Sequence, residues 1–264
     1  MSAQPTDRVP LGWDLAYTKH WWQINKPAER IVYANPYKHT ACFGESRSGK
    51  SSIAGAWVQW VAPRIQAGTW QLYCLDLKGG VEANMIPPSL RAETATNATE
   101  AEELLDLLIN LKDERTAMLV DMHERKLAPT VDTPGLLLYG DELNDLARQD
   151  NSKKLVAKMS HLLSTGSAEG LVVLGLAQEA TKELFPFRTL FQQRIALRLE
   201  KGMALLALGE QAKPWGARPW LISPDFPGEG YLLDYERHRA KHFQAWEVTD
   251  DDLMALDTAE PPRA

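Results

Sequence analysis

The chain has few cysteines and no long hydrophobic run. Its 264 residues include only two cysteines, Cys42 and Cys74, which are too few for a disulfide framework. Both lie in apolar segments, as expected of reduced core residues. No segment approaches the ~18 consecutive apolar residues of a membrane span, and residues 1–10 are too polar for a signal peptide. These absences argue against a secreted or self-anchored protein and favour a cytoplasmic one.

The sequence also lacks internal repeats and low-complexity segments. Its content of 44% hydrophobic and 24% charged residues is average for a soluble globular protein. Basic residues are in deficit, with 29 Lys and Arg against 35 Asp and Glu, which gives a net charge of −6. An acidic total argues against a protein that is coated in nucleic acid, although it is compatible with a basic stripe on one face.

From Ile31 onward, short apolar runs alternate with longer helical patterns, which is typical of βαβ units and a parallel sheet. The sequence therefore predicts a single α/β domain over residues 31–249, preceded by an irregular arm (1–30) and followed by an acidic, disordered tail (250–264). The predicted strands are Thr40–Phe43, Gln71–Leu77, Gly135–Tyr139, Leu171–Ala177, Gln193–Leu199 and Tyr231–Leu233. A long helix is predicted from the apolar residues Leu104, Leu108, Leu111, Met118 and Met122, and a second over Lys153–Thr165.

A phosphate-binding pattern lies between the first predicted strand and a helix-compatible segment. Residues 44–51 read GESRSGKS and match G-x-x-x-x-G-K-[ST] in full, in the structural context that the pattern requires. Glycines in such a loop let backbone N–H groups turn inward around an anion, at the N-terminus of the following helix. The predicted phosphate-binding residues are Gly44, Glu45, Ser46, Arg47, Ser48, Gly49, Lys50, Ser51 and Ser52.

Two side chains of this loop have specific predicted roles. The Lys50 ammonium is expected to reach the β- and γ-phosphates of a nucleotide and to act in catalysis, and the Ser51 hydroxyl is expected to bind Mg²⁺. The predicted cofactors are therefore ATP and Mg²⁺.

The apolar strand that begins at Gly135 ends in two carboxylates, Asp141 and Glu142. After a phosphate-binding loop, such a pair is typical of a Walker B element. Asp141 would then hold Mg²⁺ through water, and Glu142 would polarise the attacking water. Glu142 distinguishes a hydrolase from a kinase-type phosphate-binding protein. By itself, an acidic pair after an apolar run also suits a solvated turn.

Gln178 directly follows the predicted strand Leu171–Ala177. Ligands of open α/β sheets bind at the carboxyl ends of the strands, so this amide is placed to sense the γ-phosphate or orient water. A helix or turn cap is the alternative role for it. His238 and His242 stand four residues apart, but no carboxylate or cysteine pattern completes a metal site around them, so a surface pair is expected.

Seven segments in the same order resemble motifs of the FtsK/SpoIIIE DNA translocases. They are His39–Ser51 (HTACFGESRSGKS), Cys74–Glu82 (CLDLKGGVE), Leu108–Arg125 (LINLKDERTAMLVDMHER), Leu136–Leu146 (LLLYGDELNDL), Ser167–Gln178 (SAEGLVVLGLAQ), Arg194–Leu197 (RIAL) and Gly228–Leu232 (GEGYL). The resemblance covers nearly the whole chain, from about Asn35 to Val248. It departs from the family where Ala177 replaces a threonine and Gly140 replaces a bulkier residue.

This resemblance implies a RecA-like P-loop NTPase with a mostly parallel central sheet flanked by helices. It implies an ATPase that forms a homo-oligomeric ring, a hexamer in the usual case, which threads double-stranded DNA through its centre. A membrane partner is compatible with it. The chain shows no winged-helix DNA reader and no membrane segment, which argues against a chromosome-segregating, septum-anchored member. Among family members it resembles the transfer proteins of actinobacterial plasmids, integrated elements or their phages. The alternatives are an FtsK-like ATPase of protein secretion and a regulatory protein with little turnover.

The resemblance also places an arginine finger, the residue that one subunit inserts into its neighbour's ATP site. Arg194 begins the RIAL segment where the family has its arginine, and a guanidinium can bond two phosphate oxygens at once. Arg188 and Arg198 are the rival positions. Arg198 is predicted on the same strand face as Arg194, because every second residue of a strand shares a face and Ala196 lies between them.

Overall fold

A computed structural model describes residues 7–16 and 31–257 of the chain. Ten strands form one mixed sheet in the order β2-β1-β10-β9-β8-β3-β7-β6-β4-β5. The strands are β1 (Val9–Asp14), β2 (Ile31–Ala34), β3 (Thr40–Phe43), β4 (Trp70–Asp76), β5 (Arg91–Ala95), β6 (Gly135–Asp141), β7 (Leu171–Ala177), β8 (Gln193–Leu197), β9 (Glu229–Asp234) and β10 (Arg239–Ala245). The helices are α1 (Lys50–Gln66), α2 (Ala98–Met122), α3 (Ser152–Thr165), α4 (Lys201–Leu208) and α5 (Asp250–Met254).

The sheet consists of a parallel half and an antiparallel half. The strands β8, β3, β7, β6, β4 and β5 are parallel neighbours. The strands β9, β10, β1 and β2 extend this half by antiparallel pairing. The central strands are buried on both faces, and all seven residues of β7 are buried. This explains why they read as continuous apolar runs without alternation.

Helices cover both faces of the sheet and create two hydrophobic cores. On one face, side chains of α2, α3 and α4 share a core with alternate strand residues. Leu104, Met159 and Leu138 belong to this core. On the other face, α1 contributes Trp57 and Val61, which belong to the same core as Cys74. Polar side chains replace apolar ones at the carboxyl ends of the parallel strands.

All six predicted strands are present, and none of their ends differs from the prediction by more than two residues. Four strands were not predicted, namely β1, β2, β5 and β10. β5 is an edge strand whose sequence, RAETA, has a single buried residue, and β10 is mostly polar. A strand with few buried side chains lacks the apolar run by which the others are recognised.

The ends of the chain differ from the prediction. Val9–Asp14 was expected to be irregular but forms β1, which pairs with β10 and β2. Trp21 and Trp22, in the rest of the predicted arm, lie outside the described residues. The first residues of the predicted disordered tail form α5, which starts at a capping box between Thr249 and Asp252.

The buried face of α2 also differs from the prediction. Met118 and Met122 were predicted on the apolar face but are 38% and 56% exposed. Lys112 and Arg115 are buried in that region instead. The Arg115 guanidinium donates to the carbonyl oxygens of Glu169 (3.0 Å) and Pro134 (2.5 Å), so it joins α2 to the segments that enter β7 and β6.

We expect Arg115→Ala to lower the free energy of unfolding by about 2–6 kcal/mol, because two carbonyl oxygens lose their donor at about 1–3 kcal/mol each. Urea unfolding measures the change. Arg125→Ala, at an exposed position just beyond the same helix, is the matched control and should change stability by less than about 0.5 kcal/mol. Equal stability of the two variants would contradict a structural role for Arg115.

Candidate nucleotide-binding site

The loop of residues 44–49 lies between the end of β3 and the start of α1, in the centre of the sheet. The Gly44 N–H donates to the Ala177 carbonyl at 3.1 Å, and the Glu45 N–H donates to the Arg198 carbonyl at 3.0 Å. These two bonds hold the loop on the carboxyl ends of the neighbouring strands β7 and β8. The strand–loop–helix context that the sequence pattern requires is therefore present.

Gly49 is required both by its backbone conformation and by its surroundings. Its φ is +97°, which L side chains rarely adopt, and a Cβ there would lie 2.4 Å from the Gly228 nitrogen. The Gly228 N–H donates to the Ser48 carbonyl at 2.8 Å. This close contact joins the phosphate-binding loop to the segment that enters β9, and it explains why both positions carry glycine.

The N-terminus of α1 is suited to an anion. No side chain caps it and no acidic residue lies in its first turn, so its N–H groups are available to a phosphate. The Ser48 hydroxyl is buried without a hydrogen-bond partner among the described residues. A phosphate oxygen would satisfy such groups, so the residues present fit a nucleotide.

Lys50 is the first residue of α1 and points back over the loop. Its ammonium donates to the carbonyl oxygens of Gly44 (2.8 Å) and Glu45 (3.0 Å). Burial lowers the pKa of Lys50, and the carboxylates of Glu142 and Asp141 raise it in opposition. The Glu45 carboxylate forms an ion pair with Arg198 at 2.7 Å. Ser46, Arg47 and Ser51 are exposed and Ser52 is half-buried.

The two predicted acidic residues lie at the end of β6. Asp141 is level with Asp76 of β4 in the parallel register, and it accepts a hydrogen bond from the Tyr139 hydroxyl at 3.3 Å. Burial, followed by the nearby Glu82 and Asp76, raises the pKa of Asp141 to about 6. A divalent cation would relieve this cost, and carboxylate and hydroxyl oxygens are ligands that Mg²⁺ accepts. The residues present therefore fit the predicted metal.

Glu142 and Gln178 contact each other directly. One Glu142 carboxylate oxygen accepts the Gln178 backbone N–H at 2.9 Å, and the other accepts its side-chain amide at 2.8 Å. Glu142 is only 4% exposed and has a left-handed backbone with φ of +47°, an uncommon conformation for a residue other than glycine. The two side chains predicted from separate motifs thus form one unit.

Three polar residues at this site were given no role by the sequence analysis. The buried Asp76 carboxylate accepts the N–H groups of Lys78 (3.1 Å), Glu82 (2.9 Å) and Ala83 (3.2 Å). The Lys78 ammonium lies 3.5 Å from Glu142. Asp76 and Lys78 both lie in the CLDLKGGVE segment. A carboxylate and a cation beside two glycines are the sequence feature from which a role at the site could have been predicted.

The third residue without a predicted role is Asn144. Its side-chain oxygen accepts the N–H groups of Gln178 and Glu179, both at 3.2 Å. Its amide donates to the carbonyl oxygens of Glu179 and Leu184. Asn144 therefore connects the segment after β6 to the segment after β7, and only the folded structure brings these together.

Arg194 lies near the start of β8, four residues before the position that contacts the phosphate-binding loop. Its guanidinium donates to the carbonyl oxygens of Phe191 (3.3 Å) and Ala207 (3.4 Å) and lies 6.0 Å from the centre of the Tyr235 ring. These contacts within its own chain weigh against the arginine-finger role, which stays a prediction. Arg198 lies beside the loop but is paired with Glu45.

The two histidines have partners that do not form a metal site. His242 contacts the Glu229 carboxylate at 2.7 Å and stacks on Tyr231, and His238 stacks on Trp215. Among residues 7–16 and 31–257, no cluster of three potential metal-ligating side chains is present.

We expect Asp141→Asn to stabilise the nucleotide-free protein at pH 7.5. The pKa of Asp141 is raised in the folded state, so between about pH 4 and pH 6 the folded chain binds more protons than the unfolded one. The free energy of unfolding therefore falls as the pH rises through this window, by at most about 3 kcal/mol. The asparagine has no charge to desolvate and should remove this dependence.

Urea unfolding at pH 5 and pH 7.5, without nucleotide or Mg²⁺, measures the effect. Asp132→Asn, at an exposed position before β6, is the control and should follow the wild type. A lower stability of the Asp141 variant than of the wild type at pH 7.5 would contradict a raised pKa of Asp141 in the folded state.

The sequence and fold of this chain match one known protein family. The model of the FtsK/SpoIIIE family matches residues 9–209. None of the curated proteins compared with the chain matches it. No helix within residues 7–16 and 31–257 has the length and apolar character needed to cross a bilayer.

Three solved structures illustrate the shared fold. The conjugation coupling protein TcpA of pCW3, a monomer with ATPγS, is 18% identical with a TM-score of 0.72 over 96% of this chain and 74% of that one. The cytoplasmic domain of the type VII secretion ATPase EccC of Thermomonospora curvata is 20% identical with a TM-score of 0.68, over 97% of this chain and 32% of that one.

The genome-packaging NTPase B204 of Sulfolobus turreted icosahedral virus 2, in complex with AMPPCP, is 12% identical with a TM-score of 0.52. The match covers 81% of this chain and 100% of that one. These likenesses confirm the predicted RecA-like fold, and the family match covers most of the chain. The chain is a member of the FtsK/SpoIIIE family and a P-loop ATPase.

Proposed function

We propose that this chain is an ATP-driven motor that moves double-stranded DNA through a ring of identical subunits, a hexamer in the simplest case. The observation that carries the proposal is the Glu142–Gln178 pair. It connects Glu142, which is suited to activate water, with Gln178 at the end of β7. The segment that follows β7 reaches the protein surface. ATP and DNA are both found in the cytoplasm, which is where we place the motor.

The residues around the loop support ATP hydrolysis. Lys50 would bind the β- and γ-phosphates once its ammonium leaves the carbonyl oxygens of Gly44 and Glu45. Ser51 and Asp141 would hold Mg²⁺, which neutralises charge that develops on the phosphates. Glu142 would take a proton from the attacking water as a general base.

The Glu142–Gln178 contact would couple ATP hydrolysis to the position of the segment after β7. Each carboxylate oxygen of Glu142 accepts a hydrogen bond from Gln178, and these bonds weaken when Glu142 accepts a proton from water and loses its charge. Gln178 is also bound to Asn144, and Arg148 pairs with Glu179 at 2.8 Å. Weakening of the bonds at Glu142 would therefore be transmitted to the segment that follows β7.

The substrate class is supported by the kinds of protein that share the fold. TcpA is a conjugation coupling protein and B204 packages a genome, whereas EccC is a secretion ATPase. A secretion motor is therefore the second candidate. In a DNA motor only the inner surface of the ring need be basic, so the net charge of −6 is compatible with the proposal.

We keep the arginine finger as part of the proposal, with Arg194 as its predicted residue. Supplied by a neighbouring subunit, such a guanidinium contributes about 10³–10⁵ in rate. Arg194 would first have to leave the Phe191 and Ala207 carbonyls. Lys50→Ala and Arg194→Ala proteins are each expected to be inactive alone and to recover partial ATPase activity when mixed. Full activity of Arg194→Ala alone would assign it a purely structural role.

Glu142→Gln is expected to bind ATP like the wild type and to hydrolyse it at least ~100-fold more slowly, because glutamine retains the shape but accepts no proton. Lys50→Ala is the comparison variant and is expected to lose nucleotide binding. Calorimetric titration and a phosphate-release assay measure the two properties. Turnover by Glu142→Gln at the wild-type rate would show that Glu142 is no general base.

Double-stranded DNA is expected to stimulate the ATPase activity, and the stimulation should weaken steeply between about 50 and 200 mM salt, as for phosphate-backbone contacts. The rate with and without DNA, over a salt series, measures it. Gln178→Ala should retain basal turnover in part and lose the stimulation. A DNA-independent rate at low salt would contradict the proposal and favour the secretion candidate.

A further inference from the structure

The segment after β4 is folded around one carboxylate and presents one cation. Asp76 is fully buried and accepts three backbone N–H groups, those of Lys78, Glu82 and Ala83. Gly79 and Gly80 have φ of +78° and +77°, which lets the chain turn tightly around the carboxylate. The backbone of Lys78 is therefore held in place, although its side chain is about half exposed.

The parallel register directs this cation to the acidic end of β6. Asp76 and Asp141 are level on neighbouring strands, so a residue just beyond Asp76 is near one just beyond Asp141. The Lys78 ammonium accordingly lies 3.5 Å from a Glu142 carboxylate oxygen. The site thus contains a second ammonium group besides that of Lys50.

The two ammonium groups differ in how firmly they are held. Lys50 donates to two carbonyl oxygens at 2.8 and 3.0 Å. Lys78 has the longer contact with Glu142, whose carboxylate is already hydrogen-bonded by Gln178 at both oxygens. Glu142 therefore keeps its two hydrogen bonds from Gln178 if Lys78 moves to a stronger anion.

We infer that Lys78 is a ligand of the terminal phosphate of ATP and determines the preference of the site for ATP over ADP. The inference rests on the proposed ATP-hydrolysing function and names a new residue within that site. A terminal phosphate at the mouth of the loop carries more negative charge than the Glu142 carboxylate does. Lys78 would leave Glu142 for it, so that the base loses a countercharge when the substrate arrives and keeps it when ADP is bound.

The test is calorimetric titration of the full chain with Mg²⁺–ATPγS and with Mg²⁺–ADP. Lys78→Gln is expected to weaken ATPγS binding by about 10–100-fold, the size of a charge-assisted hydrogen bond, and to change ADP binding by less than about twofold. Lys78→Arg should restore most of the preference for ATPγS, because it keeps the charge. Lys153→Gln, at an exposed position on α3, is the matched control and should behave as the wild type.

The possible outcomes separate the inference from the proposed function. Unchanged affinities of Lys78→Gln, or equal weakening for both nucleotides, would overturn the inference while nucleotide binding stands. A wild-type chain that binds neither nucleotide would overturn the proposed function itself. Thermal melting of each variant checks that the fold is retained, and the partly exposed Lys78 is not expected to be required for it.

Discussion

The parallel pairing of β4 with β6 determines the chemistry of this site, because it places carboxylates side by side at one edge of the sheet. Asp76 is level with Asp141, and Glu142 follows directly. Three like charges in partly buried surroundings repel one another, and the structure relieves each in a different way. Asp76 is hydrogen-bonded by three backbone N–H groups. Glu142 is bound by Gln178, and Asp141 keeps a raised pKa that a cation can lower.

The central strands and the phosphate-binding loop are the parts of the molecule that the sequence alone predicts. The central strands are buried on both faces, so β6 and β7 carry apolar runs that any pattern analysis detects. The phosphate-binding loop is recognisable because its backbone conformation requires glycine at particular positions, as at Gly49, where φ is +97°. Such features depend on residues that are close together in the chain.

The features that were missed depend on residues far apart in the chain. β5 and β10 are stabilised by pairing with neighbouring strands and show little apolar pattern. Arg115 is buried because it finds two carbonyl oxygens, one of them 54 residues away, whereas the apolar Met122 on the same helix is exposed. The contact of Gln178 with Glu142 spans 36 residues, so its role as a partner of the base could be proposed only from the fold.

The strength of that contact decides whether a nucleotide can act as a switch here. A hydrogen bond to a charged group contributes about 1.5–3 kcal/mol, so the two bonds between Gln178 and Glu142 together contribute about 3–6 kcal/mol. A two-state equilibrium is reversed from 1:99 to 99:1 by about 5.5 kcal/mol of differential binding. The terminal phosphate must supply energy of this size through groups that distinguish ATP from ADP. The loop N–H groups and Lys50 would also contact the β-phosphate of ADP. A separate cation that reaches only the terminal phosphate would therefore increase the difference in binding free energy between ATP and ADP. Lys78, 3.5 Å from Glu142, is placed for that purpose.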